Sequence, residues 1–215
     1  METRTLSGRI GLPLVLVLAA SVAAVAGWWL ATRSAPSPAS GMASASILVY
    51  PEPRPLARWE LQQSDGTPLT PEELAGRPTL VFFGFTSCPD ICPTTLARLA
   101  EAEKQWADLD ESERPRILFV SVDPERDTPA RAGEYAHWFS PSMLAATGSH
   151  DALQPFARSL GMVYMHTEGE DGTYSVDHST SVAVLDARVR LAAVIPAPID
   201  AARVARDLRA LADGA

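Results

Sequence analysis

The stretch TLVFFGFTSCPDICP, residues 79–93, decides the fold predicted for this chain. Residues 79–85 are rich in β-branched and aromatic side chains and do not alternate with polar ones, which is typical of a strand buried on both faces. Two cysteines follow, and Pro93 suits the first turn of a helix, where its missing N–H costs nothing. The stretch therefore predicts a buried strand that leads through a cysteine-containing turn into a helix.

The residues that follow continue this pattern. Leu96, Leu99, Ala102 and Trp106 recur at helical spacing. A second apolar run, RILFVSV at residues 116–122, again reads as a buried strand. A strand, a helix and a second strand in succession predict parallel strands joined by a right-handed crossover.

The rest of the chain extends this unit into a recognisable order. Helices are predicted at 129–139, 151–160 and 200–211, and residues 181–186 and 189–195 read as an antiparallel hairpin. A parallel unit followed by a hairpin and a helix is the order of the thioredoxin fold. The predicted fold class is therefore α/β, a thioredoxin-like fold with a central mixed sheet flanked by helices. The N-terminal residues, described below, add a predicted transmembrane helix.

The composition of the chain argues against two classes of protein, nucleic-acid-binding proteins and disulfide-dense scaffolds. The chain has 215 residues and a formal net charge of −8, with 47% apolar and 20% charged residues. The negative charge argues against nucleic acid as a partner, because phosphate contacts need a basic surface. Only two cysteines are present, which excludes a disulfide-dense scaffold.

The N-terminal residues predict a membrane anchor. Residues 10–32 carry no charge, and as a helix they would extend roughly 34 Å, enough to cross a bilayer. Arg4 and Arg9 precede them and favour a cytoplasmic N-terminus, while Trp28 and Trp29 suit the interface. A cleaved signal peptide is the alternative, and with either one the remainder is exported.

These features give three predicted segments. They are an anchor at 1–33, a flexible Ala/Ser/Pro-rich linker at 34–58 and a thioredoxin-like domain at 59–215, which contains the candidate binding residues discussed next. No long Arg- and Ser-rich transit peptide precedes the apolar run. The expected location is the bacterial inner membrane, single-pass, with the C-terminal domain in the periplasm.

Cys88 and Cys92 carry the chemistry. The N-terminus of a helix supplies free N–H groups and a positive dipole end, which favour the thiolate form that binds metals and attacks disulfides. Three residues separate the two cysteines, against two in thioredoxin-type redox enzymes. The spacing leaves open a plain disulfide, a redox-active dithiol or a metal site.

His178 is the candidate for a third ligand. It stands directly before the strand predicted from residue 181, and in a thioredoxin-like fold that loop faces the cysteines. Two thiolates and a neutral imidazole suit Cu(I) and still accept Cu(II), whereas structural zinc would want a fourth protein ligand. Asp177 either orients the imidazole or is an exposed loop carboxylate.

The other histidines and the methionines are weaker candidates. His137 and His150 are interpreted as ordinary surface residues. Met162, Met165 and His166 could form a second soft-ligand copper site, but methionines in an apolar strand more often belong to the core.

Three motifs resemble the SCO/SenC family. They are GRPTLVFFGFTSCPDICP at 76–93, SVDPERDTP at 121–129 and Asp-His-Ser at 177–179, in the order of that family. The similarity extends from about Trp59 to the C-terminus. It implies copper delivery to the binuclear copper site of cytochrome c oxidase, with Cys88, Cys92 and His178 matching the family's ligands.

The resemblance also implies partners and alternatives. The partners would be the copper-site subunit of the oxidase and another periplasmic copper chaperone or thiol reductase. Family members are also proposed to reduce their target's cysteines, so an enzymatic thiol–disulfide reductase or a copper/redox sensor stays open. Thioredoxins carry a cis-proline directly before the strand that corresponds to residue 181 onwards. This chain has no proline directly before Ser181, and its absence weakens the case for a general oxidoreductase role. The run 121–129 is interpreted as turn chemistry and a helix start, and the acidic loop 168–173 as a docking surface or a solvated loop.

Overall fold

The computed structural model describes residues 46–168 and 173–213, with 211–213 as backbone only, and five earlier helical residues, Ser21, Val22, Val25, Trp28 and Trp29. The chain divides into two compact units, Met1–Ser44 and Ala45–Ala215. Most of the predicted anchor and linker lies outside the described residues. Among the residues described, no helix has both the length and the apolar character needed to cross a bilayer.

The second unit contains the described strands and five α-helices. The strands are β1 (Leu48–Pro55), β2 (Leu61–Gln63), β3 (Pro68–Leu69), β4 (Thr79–Gly84), β5 (Arg116–Ser121), β6 (Leu144–Thr147), β7 (Tyr164–Glu168), β8 (Tyr174–His178), β9 (Val182–Leu185) and β10 (Arg190–Ile195). The helices are α1 (Pro71–Leu74), α2 (Ile91–Glu103), α3 (Pro129–Phe139), α4 (His150–Ser159) and α5 (Ala201–Asp213), and a 3₁₀ turn at Lys104–Trp106 follows α2.

Eight strands form one mixed sheet in the order β1–β10–β9–β4–β5–β6–β2–β3. Strand β4 lies near its centre, parallel to β5 and antiparallel to β9. Every residue of β4 is buried, as the unbroken apolar run predicts for a strand covered on both faces. The predicted strand–helix–strand unit and the hairpin of β9 with β10 are both confirmed, as is the thioredoxin-like α/β class.

One segment differs from its predicted form. Residues 48–55, assigned to a flexible linker because of their three prolines, form the edge strand β1, which pairs with β10. An edge strand has one side without partners, so prolines that lack an N–H are tolerated there. The register of β1 shifts between Val49 and Arg54, the stretch that holds Pro51 and Pro53.

Strands β7 and β8 form a separate two-stranded hairpin. Tyr164 pairs with His178, and His166 pairs with Val176. Side chains directly opposite each other lie on the same face, and the face alternates along each strand. These four residues therefore share the better buried face of the hairpin, while Met165 and its alternate neighbours are exposed.

Helix α2 follows β4 after a six-residue connection, residues 85–90. It buries Cys92 in its first turn and Leu96, Leu99 and Ala102 further along, and it packs against α3 and α5. The helix therefore holds the second cysteine under the end of the central strand.

Candidate metal centre

The two cysteines occupy different environments at the mouth of α2. Cys88 is half-buried and Cys92 fully buried, and both are free thiols. The backbone nitrogen of Cys92 donates a hydrogen bond to Sγ of Cys88 over 3.4 Å. This is one of the N–H groups of the helix N-terminus that have no partner within the helix, and it points at the Cys88 sulfur.

His178 faces this pair from the end of β8. Its Nε2 lies 3.2 Å from Sγ of Cys92, and its Nδ1 lies 2.9 Å from the carbonyl oxygen of Ser179. A carbonyl oxygen only accepts, so Nδ1 carries the proton and Nε2 keeps its lone pair on the sulfur side. Burial lowers the pKa of His178, partly offset by the bond to Ser179 and the charge of Asp177. The imidazole is therefore held neutral, in the tautomer that a metal ligand needs.

The ligating atoms of Cys88, Cys92 and His178 all lie within 4.8 Å of one another. An open cleft of about 420 Å³ lies beside them, lined by the cysteine turn on one side and by β8 on the other. Cys88 and His178 line this cleft, while Cys92 lies beneath it. The sequence prediction that these three side chains meet is matched by this geometry.

The protonation of Cys92 differs from the simple helix-dipole expectation. Burial raises the pKa of the Cys92 thiol well above its usual range, and the neighbouring Cys88 raises it further. Its sulfur lies beneath the first turn of α2. There the loss of hydration raises the pKa of the thiol more than the helix N-terminus lowers it. Cys92 is therefore a protonated thiol in the metal-free protein, with its S–H beside Nε2 of His178.

Gly84 makes room for the buried sulfur. A Cβ on this residue would lie 2.9 Å from Sγ of Cys92 and 3.0 Å from Cε2 of Phe119. Real side chains do not approach so closely, so the last residue of β4 needs to lack one. The glycine in the quoted stretch is thus a requirement of the cysteine site.

The run at 121–129 braces the cysteine turn, a role that the sequence reasoning missed. Asp127 is buried and accepts hydrogen bonds from the backbone nitrogen of Thr86 at 2.7 Å, from Oγ1 of Thr86 at 2.5 Å and from Oγ of Ser121 at 2.6 Å. The predicted helix start is also present, because Thr128 caps α3 by accepting from the backbone nitrogen of Arg131 at 3.3 Å.

The same run also holds the hairpin that carries His178. The buried carboxylate of Asp123 accepts a hydrogen bond from the hydroxyl of Tyr174 at 2.6 Å, and Arg126 lies over the Tyr174 ring at 4.1 Å. Desolvation, with the bond to Asp123, raises the pKa of Tyr174 to about 12. The sequence signal that could have indicated this role is the position of Asp123 and Asp127 on either side of Arg126, directly after a buried strand. Carboxylates that become buried there need hydrogen-bond partners.

Asp177 is on the exposed face of β8 and accepts from the hydroxyl of Thr167 at 3.2 Å. The ring nitrogen that it was expected to orient is bonded to Ser179 instead. The alternative interpretation, an exposed carboxylate, describes its position better.

The second soft-ligand cluster is not formed. Met162 is 2% exposed in the core and Met165 is 63% exposed on the other face of the hairpin from His166. Alternation along β7 separates Met165 from His166. His166 instead lies beside His150 and Glu125. His150, interpreted from sequence as an ordinary surface residue, is half-buried and has two side-chain partners, whereas His137 is exposed as expected.

A mixed sheet flanked by helices, with a cysteine pair at the mouth of its first long helix, places the chain among the thioredoxin-like proteins, and here a histidine faces the pair. This chain belongs to the SCO1/SenC family, whose family model matches residues 51–213. Proteins of this family handle copper and take part in the assembly of cytochrome c oxidase.

Several relatives show the extent of the similarity. A protein of Stutzerimonas stutzeri named putative copper-binding protein is 33% identical over 72% of this chain and 76% of its own length. The mitochondrial Protein SCO1 homolog 1 of Arabidopsis thaliana is 42% identical over 56% of this chain. The match spans only 36% of that longer relative.

Solved structures share the fold. The Arabidopsis thaliana ScoI crystal structure, which has copper bound, superposes with a TM-score of 0.67 at 33% identity over 73% of this chain and 98% of that one. The apo Sco1 protein from Thermus thermophilus gives a TM-score of 0.69 at 34% identity, over 80% of this chain and 99% of that one.

Proposed function

We propose that this chain is a membrane-anchored copper metallochaperone that binds one copper ion through Cys88, Cys92 and His178. It delivers this ion to the binuclear copper site of cytochrome c oxidase. The observation that carries the proposal is the convergence of two sulfurs and one imidazole nitrogen within 4.8 Å. The copper bound in the Arabidopsis relative supports the choice of metal.

The donor set fits copper. Thiolate sulfur is the soft ligand that Cu(I) prefers, and imidazole is accepted by both copper oxidation states. The bond from Nδ1 of His178 to Ser179 leaves Nε2 as the ligand. Cys92 gives up its proton when a metal binds, so loading releases protons.

Transfer follows from the openness of the site. Cys88 and His178 line the cleft, so a thiolate or imidazole of the recipient could approach the ligands from that side. Three protein ligands leave room for an incoming fourth before one of the original ligands departs. Cys92 lies deepest and would be the last to release the metal.

The anchor and location are part of the proposal. The uncharged run at 10–32 would hold the domain at the bacterial inner membrane, on the periplasmic side. There it could meet the copper-site subunit of the oxidase, and a periplasmic copper chaperone or thiol reductase could load or reduce it.

A thiol–disulfide reductase is the second candidate. The observation that favours it is the asymmetry of the two thiols: Cys88 is partly accessible and receives a helix N–H, while Cys92 is buried behind it. This arrangement suits an attacking and a resolving thiol.

The variant His178→Ala separates the two candidates. It removes the imidazole and leaves both sulfurs in place, so copper affinity falls while the Cys88–Cys92 disulfide still forms and is still reduced. The chaperone function predicts that a strain carrying only His178→Ala loses oxidase activity. The matched control His137→Ala changes an exposed histidine on α3, and a strain that carries it should keep full oxidase activity. Full oxidase activity in the His178→Ala strain, with failure in the cysteine variants, would assign the function to thiol reduction.

A further inference from the structure

A second group of potential metal ligands lies outside the cysteine site. One nitrogen each from His150 and His166 and one carboxylate oxygen of Glu125 all lie within 4.8 Å of one another. The three residues come from separate elements. Glu125 is in the connection between β5 and α3, His150 is the first residue of α4, and His166 is in β7.

The hydrogen bonds of His150 are compatible with a metal ligand. Its Nε2 lies 2.9 Å from Oε1 of Glu125, and its Nδ1 lies 3.0 Å from the hydroxyl of Tyr164. A tyrosine hydroxyl can donate or accept, so Tyr164 supports either tautomer of the ring. When a metal replaces the Nε2 proton, Nδ1–H can donate to Tyr164, an arrangement common behind metal-binding histidines.

His166 offers a free ring nitrogen. Its Nε2 lies 3.2 Å from the carbonyl oxygen of Val122, which only accepts, so Nε2 carries the proton and Nδ1 keeps its lone pair. The ring stands edge-on to that of His150, with 4.9 Å between the ring centroids. Both imidazoles are half-buried and each is held by a partner outside the trio, whereas Glu125 is exposed.

A simple ion pair explains less of this arrangement. A contact of Glu125 with His150 that is this exposed to water contributes little to stability, and it needs no second imidazole. Two imidazoles and one carboxylate, open to solvent on the Glu125 side, form a nitrogen and oxygen donor set. Such a set suits a divalent transition ion with room for water, and the absence of sulfur makes it a poor site for Cu(I).

We propose that Glu125, His150 and His166 form a second metal site, which takes a divalent transition-metal ion, Cu²⁺ or Zn²⁺. By the general order of affinities, Cu²⁺ binds more tightly than Zn²⁺. The site joins α4 and the connection after β5 to the hairpin that carries His178. Tyr164, which forms a hydrogen bond with His150, is the direct strand partner of His178. A metal ion in the second site would therefore stabilise the backbone position of His178 in the hairpin.

The test isolates the second site from the first. The full chain with Cys88→Ser and Cys92→Ser, purified in detergent, is titrated with Cu²⁺ and examined by metal analysis and electron paramagnetic resonance. We expect about one Cu²⁺ per chain with nitrogen coupling in the spectrum and no thiolate charge-transfer absorption. Adding His150→Ala or His166→Ala abolishes this signal, and adding Tyr164→Phe weakens binding roughly tenfold, as removal of a supporting partner does.

The control in the same background is His137→Ala, an exposed histidine on α3, and it leaves the Cu²⁺ signal unchanged. A circular dichroism melt of the metal-free variants separates loss of ligands from loss of fold, and His150→Gln provides a second variant with a polar side chain. Cu²⁺ binding that survives the loss of both His150 and His166, or no Cu²⁺ bound by the cysteine-free chain, would overturn the proposal. Neither result bears on the Cys88, Cys92 and His178 site.

Discussion

Asp127 accepts two hydrogen bonds from Thr86, one from its backbone nitrogen at 2.7 Å and one from its hydroxyl at 2.5 Å. Thr86 lies two residues before Cys88, so this buried carboxylate fixes the start of the cysteine turn. It also accepts from Ser121 at the end of β5. The connection after β5 therefore sets the position of the first thiol relative to the central sheet.

Replacing Asp127 by Asn should loosen this turn. The amide group has no charge and only one acceptor oxygen, so at least one of the hydrogen bonds that the carboxylate accepts from Thr86 and Ser121 is lost. A buried hydrogen bond to a charged group contributes about 1.5–3 kcal/mol. We expect the free energy of unfolding to fall by about that amount in urea denaturation, with weaker copper binding. The control Asp110→Asn changes an exposed aspartate and should leave both quantities unchanged. Wild-type copper affinity in Asp127→Asn would show that the turn does not depend on this carboxylate.

Gly84→Ala tests the packing of the buried thiol. The added methyl carbon would lie 2.9 Å from Sγ of Cys92, so the sulfur or the strand has to move. We expect weaker copper binding with a loss of stability of about 1–3 kcal/mol, as for other overpacked cores. Gly148→Ala is the matched control, because its nearest neighbour at 3.2 Å is the flexible end of Leu61. Equal copper affinities for the two variants would contradict the crowding at Gly84.

Tyr174→Phe tests the support of the hairpin. The variant removes the hydroxyl that bonds to buried Asp123, while Arg126 stays near the ring. We expect copper affinity to fall because His178 is on the same strand, with faster amide hydrogen exchange in β7 and β8. The control is Tyr50→Phe in the edge strand β1, which should change neither measurement. Unaltered exchange in Tyr174→Phe would show that other contacts hold the hairpin.

The two thiols should differ in reactivity. Cys88 is partly exposed, whereas Cys92 is buried and its pKa is raised by that burial. Iodoacetamide should therefore alkylate Cys88 first in the reduced, metal-free protein at neutral pH, because the thiolate is the reacting form. Mass spectrometry of peptides after short exposure measures the order. Faster labelling of Cys92 would contradict its protonated, buried state.

Residues 79–93 could be interpreted from sequence because a long buried strand and a helix start leave strong local patterns. The same holds for β5, for α3 and for the hairpin of β9 with β10, where the structure agrees to within a few residues. Strand β1 was missed because its prolines suggest irregular chain, and only its pairing at the sheet edge makes a strand of it.

The candidate site was predicted in part. Cys88, Cys92 and His178 meet as expected because their positions follow from the order of the fold. The roles of Asp123 and Asp127 depend on contacts with Tyr174 and Thr86, which are distant in sequence. The trio of Glu125, His150 and His166 likewise joins three elements, and no spacing within one segment indicates it.

The measurement that tests the proposed copper site most directly is X-ray absorption spectroscopy of the full chain, reduced and loaded with Cu(I). Metal analysis on the same sample gives the copper content. The proposed site predicts about one copper per chain with two sulfur ligands and one imidazole nitrogen, and His178→Ala leaves sulfur ligands only. Copper without sulfur ligation, or an unchanged spectrum and affinity in Cys88→Ser and Cys92→Ser, would contradict it.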